Sequence, residues 1–126
     1  MNTIKKRPVF LDLTRIRMPI AALMSILHRA SGVLLYLAIP AVIYFFDLSL
    51  RSAQDYATVI STLDSPPGKL SVLVVLWALL HHLFAGIRYL LLDVHIGLTR
   101  DGARIGAWAV FGAEALAFVI IAGMLL

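Results

Sequence analysis

The chain has 126 residues, 61% hydrophobic and only 14% charged, far below the roughly one-quarter charged usage of water-soluble domains; the composition is that of a membrane protein. It contains no cysteine, which excludes disulfides, thiolate metal sites and a cysteine nucleophile. The formal net charge of +4 comes from Lys and Arg gathered in short segments beside apolar runs, which is the pattern of a membrane-topology signal and not of a nucleic-acid surface.

The N-terminal "KKR" resembles the start of a signal peptide. The apolar run begins well after it, exceeds a signal core and has no small-residue cleavage site, so the segment is expected to be retained. Three stretches then meet the requirement of about 20 mostly apolar residues for a bilayer-spanning helix, at about 21–46, 70–92 and 105–125. The first connection holds "DSPPGK", whose prolines and glycine forbid a continuing helix. The second holds "DVHIGLTRDGAR", again turn-rich and polar. The expected fold is an all-α membrane protein, one domain over 1–126 with three transmembrane helices in up-down-up order. Lys5, Lys6, Arg7, Arg15, Arg17 and Arg29 precede or open the first span, and Arg88, Arg100 and Arg104 surround the second connection, against Arg51 and Lys69 in the first. By the positive-inside rule, segment 1–20 and the second connection are cytoplasmic, and the C-terminus faces the other side.

The first span opens on "SILHRASG", residues 25–32. Ser25 and Arg29 are four apart and share a helix face, with His28 adjacent. Arg29 alone reads as a snorkelling anchor near the cytoplasmic boundary. With Ser25 and His28 it makes a group of hydroxyl, imidazole and cation suited to polarising a carbonyl oxygen or pairing with carboxylates. Pro40, inside the same span, should kink it or free a carbonyl.

The second span contains "ALLHHLFAGIRYLLLD". His82 lies eleven residues before Asp93, about 16 Å along a helix, and therefore near the middle of a hydrocarbon core about 30 Å thick, where polar side chains are costly and functional. His81 is about 100° away around the helix, so the two cannot serve one ligand. Helical neighbours of His82 are Ala78, Leu79, Ala85 and Gly86, a flatter face than the Trp77 and Phe84 surroundings of His81. A mid-membrane histidine framed by small residues suits axial ligation of a haem iron or a hydrogen bond to another helix. His81 is expected to pack or hydrogen-bond in a helix interface. Asp93 is either a proton relay, a partner for Arg88 or a simple interfacial charge.

The third span carries Ala109, Ala113 and Ala117 at every fourth position, a small-residue stripe that admits another helix, from this chain or a partner. Glu114 lies well inside it and would be protonated, paired with a partner's cation or displaced toward an edge by tilt.

The stretch "RPVFLDLTRIRMPIAALMSILHRASG" followed by "HLFAGIRYLLLD" resembles the cytochrome b large membrane-anchor subunits of succinate dehydrogenase, respiratory complex II. The motifs SxxHRxSG and HxxxGxR with a following Asp carry the resemblance through the first two spans; the third matches only in being apolar and small-residue-rich. The resemblance implies a heterotetramer in the bacterial cytoplasmic membrane, in which a flavoprotein and an iron-sulfur subunit sit on the cytoplasmic face of two small anchors. Succinate is oxidised at the flavin and electrons pass through iron-sulfur clusters to ubiquinone. It further implies that Ser25 and Arg29 line the quinone pocket, that His82 is one axial ligand of a haem b whose second ligand comes from the other anchor, and that His28 and Arg29 lie near the haem propionates. On this reading the chain is a non-flavin subunit of an enzyme, with no complete active site of its own. Tyr89 stands where some members of the family have another histidine.

Two rival readings remain from the residues alone. One is a small proton-coupled transporter using Glu114, although such a chain would have four spans and its carboxylate in the first. The other is a purely structural anchor with neither haem nor quinone chemistry.

Overall fold

The computed structural model describes residues 17–125. The basic residues Lys5, Lys6, Arg7 and Arg15, and most of the segment expected to be cytoplasmic, lie outside the described residues. Four helices follow one another: α1 (Ile20–Arg51), α2 (Ala53–Asp64), α3 (Pro66–Asp93) and α4 (Arg100–Leu125). Three of them, α1, α3 and α4, are long and apolar enough to cross a membrane, at 32, 28 and 26 residues. At 1.5 Å per residue α1 is about 48 Å long, more than the hydrocarbon core requires.

The first connection departs from expectation, because most of it is helical. α1 continues past Phe46 to Arg51, and its last turn carries an Asp47–Arg51 ion pair at i,i+4. Ser52 breaks the helix with extended backbone and caps the next one, its hydroxyl oxygen accepting from the Asp55 amide at 3.0 Å. The same hydroxyl donates to Asp55 Oδ2 at 2.8 Å, so Asp55 holds the cap in place. Ser65 makes the second break and caps α3, accepting from the Gly68 amide at 3.3 Å. Pro66 and Pro67 then occupy the first helical positions, where a missing N–H costs nothing. The "SPPG" sequence thus starts a helix as well as ending one. Gly68 is required by the corner: a Cβ there would lie 2.2 Å from the Thr62 carbonyl oxygen and 2.7 Å from that of Leu63.

The second connection is a true turn. The Ile96 amide donates to Leu91 O at 2.9 Å and the His95 amide to Leu92 O at 3.0 Å, the paired bonds of a Schellman motif. His95 takes the left-handed position at φ 67°. Thr99 caps α4 through a 3.1 Å bond from the Gly102 amide.

α3 packs against α1, α2 and α4, and α1 also meets α4. The antiparallel order brings the start of α1, the end of α3 and the start of α4 to one end of the bundle. There Met24, Ala85, Ala107 and Val110 form the buried apolar core, with Ile20, Phe84, Tyr89 and Phe111 against it. The outer surfaces carry exposed Leu, Ile, Val and aromatic side chains along all three long helices; burial within the chain is not what makes these helices apolar. Ala109 and Ala113 face outward while Ala107 and Ala122 are buried, so the small-residue stripe of α4 is not the surface that α4 uses within this chain. α1 runs on through Pro40 without interruption, although the proline leaves the Tyr36 carbonyl without its i+4 amide donor.

Candidate functional site

The α1–α3 crossing is built around His82. Its Nδ1 lies 3.2 Å from the backbone carbonyl oxygen of His28 and 3.3 Å from the Ser31 hydroxyl. The carbonyl can only accept, so Nδ1 is the nitrogen that carries the proton. Nε2 then presents its lone pair, the form in which a neutral imidazole ligates a metal. The ring stacks on His28 with centroids 4.2 Å apart and planes 12° apart. His82 also lines a 560 Å³ apolar groove with Gly32, Leu35, Ala38, Ile39, Val42, Val75 and Leu79.

The small-residue face noted beside His82 is filled by the protein itself. Ala85 belongs to the buried core, and a Cβ on Gly86 would approach His28 Nε2 to 3.7 Å. The open space lies instead on the Val75 and Leu79 side. Small residues on one helix admit a neighbouring helix as readily as a planar ligand, and α1 takes that place.

Of the residues at the mouth of α1, His28 joins His82 directly and also approaches Tyr89, at 5.1 Å between ring centroids. Ser25 is half-buried and Arg29 exposed, one turn apart on the same helix. Asp93 is exposed at the end of α3, and Arg88 does not turn toward it. Five residues separate the two, which takes them off a shared helix face. The Arg88 guanidinium, 8% exposed, donates from Nη2 to Ala103 O at 3.0 Å across to α4. It runs alongside Gly106, where an added Cβ would lie 3.4 Å from Arg88 Nε, in van der Waals contact.

His81 and Glu114 form a second polar unit. Both are buried, at 0% and 5% exposure, and His81 Nδ1 lies 2.7 Å from Glu114 Oε2. Trp77 and Phe111 each place a ring 5.7 Å from the imidazole. Glu114 therefore finds its partner inside the chain. Neither a partner's cation nor displacement to an edge is needed to account for it.

Residues 3–121 match the family of succinate dehydrogenase/fumarate reductase transmembrane subunits. The chain belongs to this family. It is 39% identical over 116 residues to a succinate dehydrogenase cytochrome b556 subunit of Coxiella burnetii, covering 91% of this chain and 93% of that one. A Paracoccus denitrificans protein of the same name is 28% identical over 114 residues, 90% of this chain and 88% of its own. A succinate dehydrogenase hydrophobic membrane anchor subunit of Archaeoglobus fulgidus is 32% identical over 85 residues, 68% of this chain and 70% of its own. A membrane-anchor role in succinate dehydrogenase goes with that membership.

Within the stretch "SILHRASG", residues 25–32, sequence reasoning assigned no part to Ser31 or Gly32. Ser31 is fully buried, and its hydroxyl donates to His28 O at 2.8 Å. A serine three residues after a carbonyl in a helix bonds back to it habitually, so the bond was readable; its position beside His82 was not. Among the described residues no three His, Cys, Asp or Glu side chains converge as a metal-ligand set.

Proposed function

We propose that the chain binds haem b through His82 as one axial ligand, the other coming from a second small anchor subunit, and that with Ser25 and Arg29 it helps to form the site where ubiquinone is reduced by electrons from the iron-sulfur subunit. The observation that carries this reading is the engagement of His82 Nδ1 by the His28 carbonyl, which leaves Nε2 as a ligand at mid-membrane depth. The relatives named cytochrome b556 support it. When bound, haem b supplies a one-electron redox centre between the anchors. The chain's own residues would hold its iron at His82 and meet its propionates with His28 and Arg29. The flavoprotein and the iron-sulfur subunit dock at the cytoplasmic face, in the cytoplasmic membrane of a bacterium.

Reduction of a quinone places negative charge on its carbonyl oxygens before protons arrive. A hydroxyl donor and a fixed guanidinium, held away from bulk water, stabilise that charge. Ser25 supplies the first and Arg29 the second, on one face of α1 at the membrane boundary.

The test is a reduced-minus-oxidised absorption spectrum of the complex purified through this chain, wild type against His82→Ala. The expected result is a b-type spectrum in the wild type, co-purifying with a flavoprotein and an iron-sulfur protein, and lost or severely perturbed in the variant. An unchanged spectrum and haem content in His82→Ala would reject the assignment.

A further inference from the structure

The His82 imidazole does not stand alone against α1. The single O–H of Ser31 is spent on His28 O at 2.8 Å, so toward His82 Nδ1, at 3.3 Å, the Ser31 oxygen can only accept. Both polar partners of Nδ1 are therefore acceptors, and they come from successive turns of the same helix. Along the same edge of the ring, a Cβ at Gly32 would stand 3.1 Å from His82 Cε1 and 3.4 Å from Nδ1, the first tighter than ordinary van der Waals contact. The backbone of α1 is thus brought against the ring at the residue that has no side chain. Ser31 is fully buried, so water cannot replace its hydroxyl.

We infer that Ser31 and Gly32 are positioning residues for His82: the hydroxyl holds the proton on Nδ1 and the glycine admits the ring edge, so that Nε2 is presented in one tautomer and one orientation. This rests on the reading of His82 as the haem ligand. Groups that bond to the far nitrogen of a ligating histidine fix its rotation and its electron donation to the metal, and their loss typically weakens metal retention about 10- to 100-fold. Gly32 is also a site where the usual preference runs the other way. Inside a helix, alanine is favoured over glycine, so Gly32→Ala should strengthen α1 locally while displacing the imidazole.

The experiment compares Ser31→Ala, Gly32→Ala and Gly123→Ala in the assembled complex, the last at a glycine with nothing within 4 Å of an added Cβ. The readouts are the g values of the oxidised haem by electron paramagnetic resonance, its midpoint potential, and its rate of loss to excess apomyoglobin. Ser31→Ala is expected to keep the haem but shift the g values and potential. Gly32→Ala is expected to lose haem about tenfold faster or more, and Gly123→Ala to match wild type. Wild-type g values, potential and haem loss in both Ser31→Ala and Gly32→Ala would overturn the inference. If Gly32→Ala fails to assemble, Ser31→Ala, which removes one oxygen, decides alone. Haem unaffected by His82→Ala would instead overturn the ligand assignment itself, so the two failures are distinguishable.

Discussion

Ser25 and Arg29 share a face of α1 because they are four residues apart, and their chemistry is complementary: a neutral donor that can align with one oxygen and a cation that is never deprotonated. If they serve the quinone, Ser25→Ala and Arg29→Leu will depress succinate-driven quinone reduction, by about 100-fold for loss of one aimed donor. Succinate oxidation by a soluble dye, which draws electrons before the membrane site, will remain near wild type. Equal loss of both activities would mean failed assembly instead. That the two share a helix face was legible in the sequence from spacing alone. The choice between the two nitrogens of His82 was not, since it depends on which atoms of α1 stand opposite.

Among the helices, the pairing of α3 with α4 is tied by His81 and Glu114, twelve residues before Asp93 and fourteen after Arg100. At 1.5 Å per residue these depths are about 18 and 21 Å from the same end of the bundle, so the two meet at one level near mid-span. Glu114→Leu would strand a buried imidazole nitrogen, at a cost of about 1–3 kcal/mol, and should lower the thermal midpoint of the assembled complex. Glu114→Gln keeps a hydrogen-bonding partner and should lower it less. Combining His81→Phe with Glu114→Leu should recover much of the loss, because exchanging both partners for apolar groups leaves nothing unsatisfied. If the double variant were as unstable as the sum of the singles, the pair would not be coupled. The α2–α3 corner follows a different logic. Its Ser65 cap and proline start are local signals, as is the Ser52 cap before α2, where "SAQD" could have been read as a helix start. The need for glycine at 68 arises only from the chain folding back on α2.

Across the molecule, charge is distributed unevenly between the two ends. Arg51 pairs with Asp47, and Lys69 with Asp64 at 3.0 Å, so the cations at the α1–α2–α3 end are neutralised locally. The opposite end carries Arg17, Arg29, Arg88, Arg100 and Arg104 against Asp93 and Asp101. With three spans, the positive-inside rule applied to this asymmetry predicts a C-terminus outside the cytoplasm. A tag fused after Leu126 should be labelled by a membrane-impermeant reagent only from the periplasmic side, and labelling from the cytoplasm would overturn that topology. The outward small residues of α4 and the apolar groove beside His82 lie on surfaces that this chain leaves uncovered.

Membrane character, three apolar spans and the charge asymmetry were determined by the sequence alone, because a helix in lipid satisfies its own backbone and is recognised by composition over one window. So was the presence of an imidazole at mid-membrane depth. Only the tertiary structure decided that His28 O and Ser31 take the Nδ1 of His82, that α1 fills the small face of α3, and that Glu114 belongs to His81. These depend on the rotation and height of one helix against another, set by packing across the whole interface, which no periodicity within a single helix encodes.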